Sequence, residues 1–446
     1  MKDIFIKCID KDRNFDIFNK KIIVKKIQGE VFFLTSLVDS LILLQSLKSL
    51  EELLEKDNII ENSSSPQIKM SEDINQILTS FYEGCAIVFL EKVYLIDCRK
   101  YPQRGIDEPY TEKSIRGSRD GFNEQINTNI GLIRLRIKSK FLASEIYSLS
   151  KYGNTYVSLV YLKDKVDNKI IEELRTRISK LNISSLIMSD RSLVEKLLNK
   201  KNMLFPIVRY TERVDIACIN IINGKIILLV DSSPSVIILP ITLFDHFKHV
   251  EEYRQPPLIG SFTKIIRIFS IGLSIFLSPI ILCLYIDHDV INYFSLTSDK
   301  LPNVISFEMI TATIVLEIFR IATIHTPSPL VGAIGLVSAL VLGQVSIELG
   351  IFSSEVLLVV CISSICGYAT SSYELSLSNK FVNIALLVVS AVFKIEGFLI
   401  AITILFLYLV SIKNFNKYYL EPLIPFDLRK LSRYLFRHHY GDEENL

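Results

Sequence analysis

Between Lys100 and Leu142 the chain reads KYPQRGIDEPYTEKSIRGSRDGFNEQINTNIGLIRLRIKSKFL. Arg104, Asp107, Glu108, Glu112, Lys113, Arg116, Arg119, Asp120 and Glu124 alternate in sign along it. Such charges can pair into a structural belt, and the glycines and arginines of RGSRDG can also hold a phosphate. No strand–glycine-rich–helix fingerprint accompanies them, so the ion-pair belt is preferred. A second set of polar groups lies in otherwise apolar sequence: Glu308, Glu317, Arg320, Gln344, Glu348, Lys394 and Glu396. Charges at membrane depth are costly, and they mark either a polar pathway or a helix lying at the interface. Glu308 and Glu317 are expected to share a helix face, and Glu317 and Arg320, three apart, to neutralise each other.

Other chemistry finds little support. There is no P-loop, HExxH or CxxC, and the six histidines show no ligand spacing. The seven cysteines are scattered and read as reduced thiols rather than a disulfide framework. An enzyme, a metal site and a cofactor are not expected. A net charge of +2 gives no reason to expect nucleic acid as a partner.

The apolar sequence that surrounds the second set runs from Lys264 to Ile412. A helix needs about 20 mostly apolar residues to cross a bilayer core. IIRIFSIGLSIFLSPIILCLYI and LVGAIGLVSALVLGQVSIEL meet that length, while the remaining runs are shorter or carry acids. The expectation is a membrane domain of four to six helices over residues 264–412, with an even number of crossings. The opening MKDIFIKCIDKDRNF is too charged for a secretory signal, so the first span is expected to act as the insertion signal. Lys264 and Arg267 before that span, and a basic tail over 413–446, place both flanks in the cytoplasm. Gly332, Gly335, Ala339, Gly343, Ser346 and Gly350 recur at steps of three or four, beside Gln344. Such a face either packs closely on another helix or, with several copies around an axis, leaves a narrow lumen.

The elements before the block are expected to form a soluble α/β head of two parts, residues 1–150 and 151–255, followed by a linker over 256–263. Residues 1–30 read as a polar opening and Val31–Lys56 as an amphipathic helix. A helix ending at Gly84 and a hairpin of CAIVFL with VYLIDC follow. Phe122, Ile126, Ile130, Ile133 and Ile137 mark one helical face, with Arg134 and Arg136 in its last turns, where cations suit the helix dipole. In the second part TYVSLVYL and SSLIM read as strands, with helices after each. VDIACINI and KIILLV read as a hairpin around Asn223–Gly224, and VIILP as a last strand.

The run from Tyr101 to Ile137 resembles the A subunits of the spore germinant receptors, the GerA family of endospore-forming bacteria. The resemblance is carried by Tyr101, Pro102, Arg104, Glu108, Pro109, Glu112, Lys113, Arg116, Gly117, Arg119, Gly121, Phe122, Glu124, Asn129, Leu132, Ile133, Arg134, Arg136 and Ile137. HTPSPLVGAIGLVSALVLGQVSIELGIFSSEV and TSSYELSLSNK, with Tyr373 and Glu374, resemble the family's membrane motifs. Ser118 and Ser371 stand where that family usually has proline. The ending YLEPLIPFDLRKLSRYLFR is most similar to the family's stage V sporulation protein AF branch.

The resemblance implies a multi-pass protein of the spore inner membrane with its head on the core side. It implies a homo-oligomer whose membrane helices conduct cations during germination, among other membrane germination proteins. A nutrient-receptor A subunit working with B and C subunits, and a non-conducting scaffold, are the alternatives.

Overall fold

The computed structural model describes residues 1–24, 27–55, 68–100, 118, 120–149, 155–181, 183, 189–198, 203–286, 301–326, 328–415 and 417–436. Contacts divide the chain into two units: residues 1–202 with 208–240, and residues 203–207 with 241–446.

The first unit is α/β. Helix α1 (Lys2–Ile9) leads into the antiparallel pair β1 (Ile17–Val24) and β2 (Ile27–Leu34). Then come α2 (Ser40–Glu55), β3 (Ile68–Met70), α3 (Ile74–Tyr82), β4 (Ala86–Phe89) and β5 (Val93–Ile96). The strands form one antiparallel sheet in the order β1-β2-β4-β5-β3. Its two faces are covered differently. On one, Phe5, Phe32, Phe81 and Phe89 pack edge-on or tilted at 5.2 to 5.7 Å between ring centroids. On the other, Leu43 and Leu50 of α2 pack on Val31, Val88 and Ile96.

After α4 (Ile126–Arg136) the arrangement recurs. The elements are β6 (Leu142–Ser148), β7 (Tyr156–Leu162), α5 (Asn168–Ser179), α6 (Ser189–Leu198), β8 (Arg209–Thr211), α7 (Val214–Ile222), β9 (Ile226–Val230) and β10 (Val236–Leu239). The second sheet, also antiparallel, has the order β6-β7-β9-β10-β8, which is the first order with every number raised by five. The two halves of the unit therefore share one topology, with α3 and α7 in matching places. Both helices end at a left-handed glycine, Gly84 (φ 100°) and Gly224 (φ 76°). At Gly224 a side chain would also meet the Lys165 carbonyl at 2.5 Å.

Several expectations change here. VDIACINII is helix α7, not a strand. A short apolar run does not reveal its period, and burial of Val214, Ile216, Ala217, Cys218 and Ile221 suits a helix enclosed on several sides. Asn223–Gly224 turns the chain as expected, but from a helix into β9. The helix expected over Val31–Lys56 starts only at Ser40, because its first residues are the inner strand β2. Residues 1–30 hold α1 and β1 rather than a polar lead-in. β6, passed over in the sequence, joins the second sheet just before residue 150. SSLIM falls on residues 184–188, outside those described apart from Ile183 nearby.

The second unit is a helical bundle. It contains α8 (Val250–Arg254), α9 (Pro257–Ile286), α10 (Pro302–His325), α11 (Ser328–Ala339), α12 (Ser354–Gly367), α13 (Tyr373–Ser411) and the tail helix α14 (Leu428–Leu435). A two-stranded pair, β11 (Lys413–Asn414) with β12 (Lys417–Tyr418), precedes α14. The expected linker over 256–263 is instead the first turns of α9. Pro257 sits at the helix start, where its missing N–H and fixed φ cost nothing. Leu282, Met309, Val356, Val360 and Leu387 bring α9, α10, α12 and α13 into one buried core. Among the described residues three helices are long and apolar enough to cross a membrane: Pro257–Ile286, Leu330–Glu348 and Tyr373–Ser411.

The last of these is folded on itself. Its 39 residues would reach about 58 Å if straight, nearly twice a bilayer core. At Lys394 the backbone leaves the helix (φ 51°, ψ −145°). Ser378 Oγ donates to the Leu204 carbonyl at 2.6 Å, and the Leu204 N–H donates to Tyr408 Oη at 3.1 Å. In a straight helix Ser378 and Tyr408 would lie about 45 Å apart. Shared bonding to one residue requires two antiparallel limbs that turn at Lys394. The sequence expectation of two runs interrupted by Lys394 and Glu396 matches this geometry.

Candidate functional site

The helix that carries the small-residue stripe has little of its own chain around it: only 6% of the Leu330–Glu348 window is buried. A Cβ added at Gly332, Gly335 or Gly343 would meet nothing within 4 Å. Ala339 and Gln344 are exposed as well. Among the described residues, then, the open part of the stripe is Gly332, Gly335 and Gly343, where an added side chain would meet no neighbour. Over Leu340–Val345 the winding widens to a π-helix, which rotates the residues after it relative to those before. Two members leave the stripe for that reason. Ser346 is buried and its hydroxyl donates to the Val341 carbonyl at 2.7 Å. Gly350 (φ 68°) is past the helix end, where a left-handed residue closes the last turn. The Gln344 amide donates to Glu348 at 3.0 Å on an exposed face.

The charges of α10 do not act together. Glu308 and Glu317 are nine residues apart, two and a half turns, so they lie on opposite faces rather than the shared one expected. Glu308 is buried, and it accepts from the Ser353 N–H at 2.9 Å and hydroxyl at 2.8 Å. That places a carboxylate at the start of α12, where the helix dipole favours it. Glu317 pairs with Arg320 as expected from their spacing. Arg320 also donates to Ser376 Oγ at 3.0 Å and sits 5.9 Å from the Tyr373 ring centroid. Tyr373 and Glu374 form the first turn of α13, capped by Ser372, whose hydroxyl donates to Glu374 at 2.9 Å. Tyr373, Ser376 and Lys380 recur at helical spacing.

In the first unit, Arg134 does not serve the helix dipole. It is buried against Asp16, with Nε–Oδ2 at 2.5 Å and Nη2–Oδ1 at 2.7 Å, and it also donates to Asn14 and Ser144. Arg136 pairs with Asp120 at 2.6 Å and donates to the Ser118 hydroxyl. Arg213, buried and paired with Asp215 at 2.7 Å, donates to the Ser118 carbonyl at 3.2 Å. Glu124 has an exposed side chain, and its carbonyl accepts from the Ser232 N–H. Arg104, Glu108, Pro109, Glu112, Arg116 and Arg119 lie outside the described residues. Of the nine alternating charges only Asp120 and Glu124 lie among the described residues, and Asp120 is the one seen paired.

Ser118 and Ser371 acquire a common role. Ser371 Oγ accepts from Arg267 at 3.3 Å, as Ser118 Oγ accepts from Arg136. Proline could supply neither acceptor.

Among the described residues no cluster of three or more His, Cys, Asp or Glu could hold a metal ion. Burial pushes the Cys98 and Cys218 thiols up to about 12, which keeps both protonated at neutral pH.

The family described as Bacillus/Clostridium GerA spore germination protein matches residues 5–445. Stage V sporulation protein AF of Bacillus subtilis (strain 168) is 34% identical over 451 residues, covering 98% of this chain and 91% of its own length. Spore germination protein KA of the same organism is 27% identical, covering 90% of this chain and 75% of its own length. Among solved structures, the N-terminal domain of the A subunit of the Bacillus megaterium spore germinant receptor GerK3 aligns with 54% of this chain and 92% of its own. That alignment has 21% identity and a TM-score of 0.39.

Proposed function

The chain belongs to the Bacillus/Clostridium GerA spore germination protein family, and from that premise we propose that copies of it assemble in the spore inner membrane into a cation-conducting channel. The observation that carries this reading is the uncovered small-residue face of Leu330–Glu348. In lipid, helices associate through close backbone approach at small residues, and a face with no partner among the described residues of its own chain is available to neighbouring copies. Around an axis the same face leaves room for a lumen, with Gln344 and Glu348 supplying polar groups. Glu348 is the ionisable group that this helix itself would bring to such a path.

An even number of crossings would put both flanks of the membrane block on one side. Lys264, near the start of the first span, donates to the Arg433 carbonyl of α14 at 3.2 Å, so the basic tail and the beginning of that span lie together. With positive residues concentrated there, that side is assigned to the spore core.

Spores carrying Gly343→Leu test the reading through cation release on germination, compared at equal protein level. Release at the wild-type rate would overturn it. Loss of release in Gly343→Leu with normal release in Gln344→Leu would make the stripe an assembly face rather than a lumen wall.

A further inference from the structure

A polar cavity of about 20 Å³ lies inside the bundle, between α9, α10, α12 and α13, away from the small-residue stripe. We propose that it binds one small monatomic anion, of which chloride is the physiological example.

Three observations point to the same occupant. The first is charge. Arg320 and Lys380 carry two positive charges into the cavity wall against the single negative charge of Glu317, leaving one positive charge uncompensated. Glu317 already holds Arg320, while Lys380 Nζ donates to Ser364 Oγ at 3.0 Å and, among the described residues, has no carboxylate within ion-pair distance. An ammonium surrounded by apolar helices is expensive without a counter-charge.

The second is an unmade hydrogen bond. Asn379 also lines the cavity, is 4% exposed, and its amide nitrogen has no acceptor. A buried donor left unpaired costs on the order of 1–3 kcal/mol, so an acceptor at this place would be held by both charge and hydrogen bonding. The third is size. A water-sized particle needs about 10–15 Å³, so this cavity admits one such particle and excludes a phosphate or a carboxylic acid. Ser376 Oγ, which accepts from Arg320 at 3.0 Å, borders the remaining wall, where the Ser274 and Ser363 hydroxyls donate to the Ile271 and Ser274 carbonyls.

The site is independent of conduction. It gathers one residue pair from α10 and the first turns of α13, and an anion there would tie those two helices together through Arg320 and Lys380.

The test uses the purified full-length chain in detergent or nanodiscs, melted in sodium chloride and in sodium gluconate of equal ionic strength. The expected result is a saturable rise in melting temperature with chloride, on the order of a few degrees, and none with gluconate, which is too large to enter. Lys380→Met removes the charge at similar length and should abolish the rise. Should that variant fail to fold, Asn379→Leu, which keeps the charge, must shift the chloride midpoint upward. Bromide in place of chloride should give anomalous density between Lys380 and Asn379 in crystals. Equal melting in the two salts overturns the proposal and assigns the cavity to a water molecule; so does a chloride effect that survives in both variants, which would place it elsewhere on the molecule.

Discussion

The guanidinium of Arg134 lies on the carboxylate of Asp16, 118 residues away in sequence, at 2.5 Å and with side-chain exposures of 1% and 0%. The pair stands where the two halves of the first unit meet. Asn14 bridges to Ser144 of β6, Asp16 precedes β1, and Arg134 leaves α4 to reach both. Removing one partner leaves the other buried and uncompensated. Arg134→Met should therefore destabilise the unit by about 3–5 kcal/mol, whereas the double change Asp16→Leu with Arg134→Met should cost much less. Hydrogen exchange over residues 126–148 in the full-length protein measures both. Equal losses in single and double variants would deny the coupling.

Acid sensitivity follows from the same carboxylate. Burial works to raise the Asp16 pKa, but the Arg134 charge and hydrogen bonds from Arg134, Ser144 and Ser36 outweigh it and hold the group below 3.8. Glu145 is half-buried; burial works to raise its pKa, but hydrogen bonds from Arg175, Tyr161 and Tyr147 outweigh it and hold the group below its ordinary value. For a group depressed by folding, the stabilisation is complete above the unfolded pKa and is lost as pH falls through the folded one. Stability of the first unit should be level from neutral pH down to about 5 and should fall below about 4. Asp16→Asn should flatten that acid limb while lowering stability at pH 7. A wild-type profile that begins to fall at pH 6 would contradict the assignment.

Two glycines should respond oppositely to enlargement. A Cβ at Gly397 would stand 2.3 Å from the Phe393 Cβ, across the turn at Lys394. Gly397→Ala should cost about 1–3 kcal/mol, because the two limbs of α13 cannot close on it. Gly343→Ala meets nothing within its own chain. Its melting temperature, measured on dissociated protomers, should equal that of wild type.

Burial pushes the thiols of Cys85 up to about 11 and those of Cys98 and Cys218 up to about 12. Alkylation depends on the thiolate and on access, so all three should stay unmodified by iodoacetamide at pH 8 until the protein unfolds. Peptide mass spectrometry reads this directly. Prompt native labelling of Cys98 would mean that the first unit opens locally.

Much of the fold was legible where periodicity was unambiguous. The α3 helix with its glycine stop and the β4–β5 hairpin follow from spacing; the helix expected from Phe122 to Ile137 forms only over Ile126–Arg136, with Phe122 buried ahead of it and Asn129, Gly131 and Arg134 buried beside the isoleucines. Val214–Ile222 was not legible alone, since every residue type in it suits a buried strand as well as a buried helix. The repeat would have decided it: YEG before β4 and INGK before β9 occupy the same place in two copies of one topology. Arg134 could be seen as a cation near a helix end, but its partner comes from a segment read as featureless. In the bundle, Glu317 and Arg320 were visible as an i,i+3 pair. Lys380 and Asn379 were hidden by the serines around them.

The central claim is that this chain conducts cations through an assembly held at the Leu330–Glu348 face. Cation flux through liposomes containing the purified protein tests it most directly. Gly343→Leu adds bulk where its own protomer offers no obstacle, so any effect must come from a neighbouring copy. The account predicts flux from wild type, near-normal flux from Leu340→Phe at a position that is 50% exposed, and background flux from Gly343→Leu with an unchanged protomer melting temperature. Wild-type vesicles no leakier than empty ones, or full flux through Gly343→Leu, would contradict it.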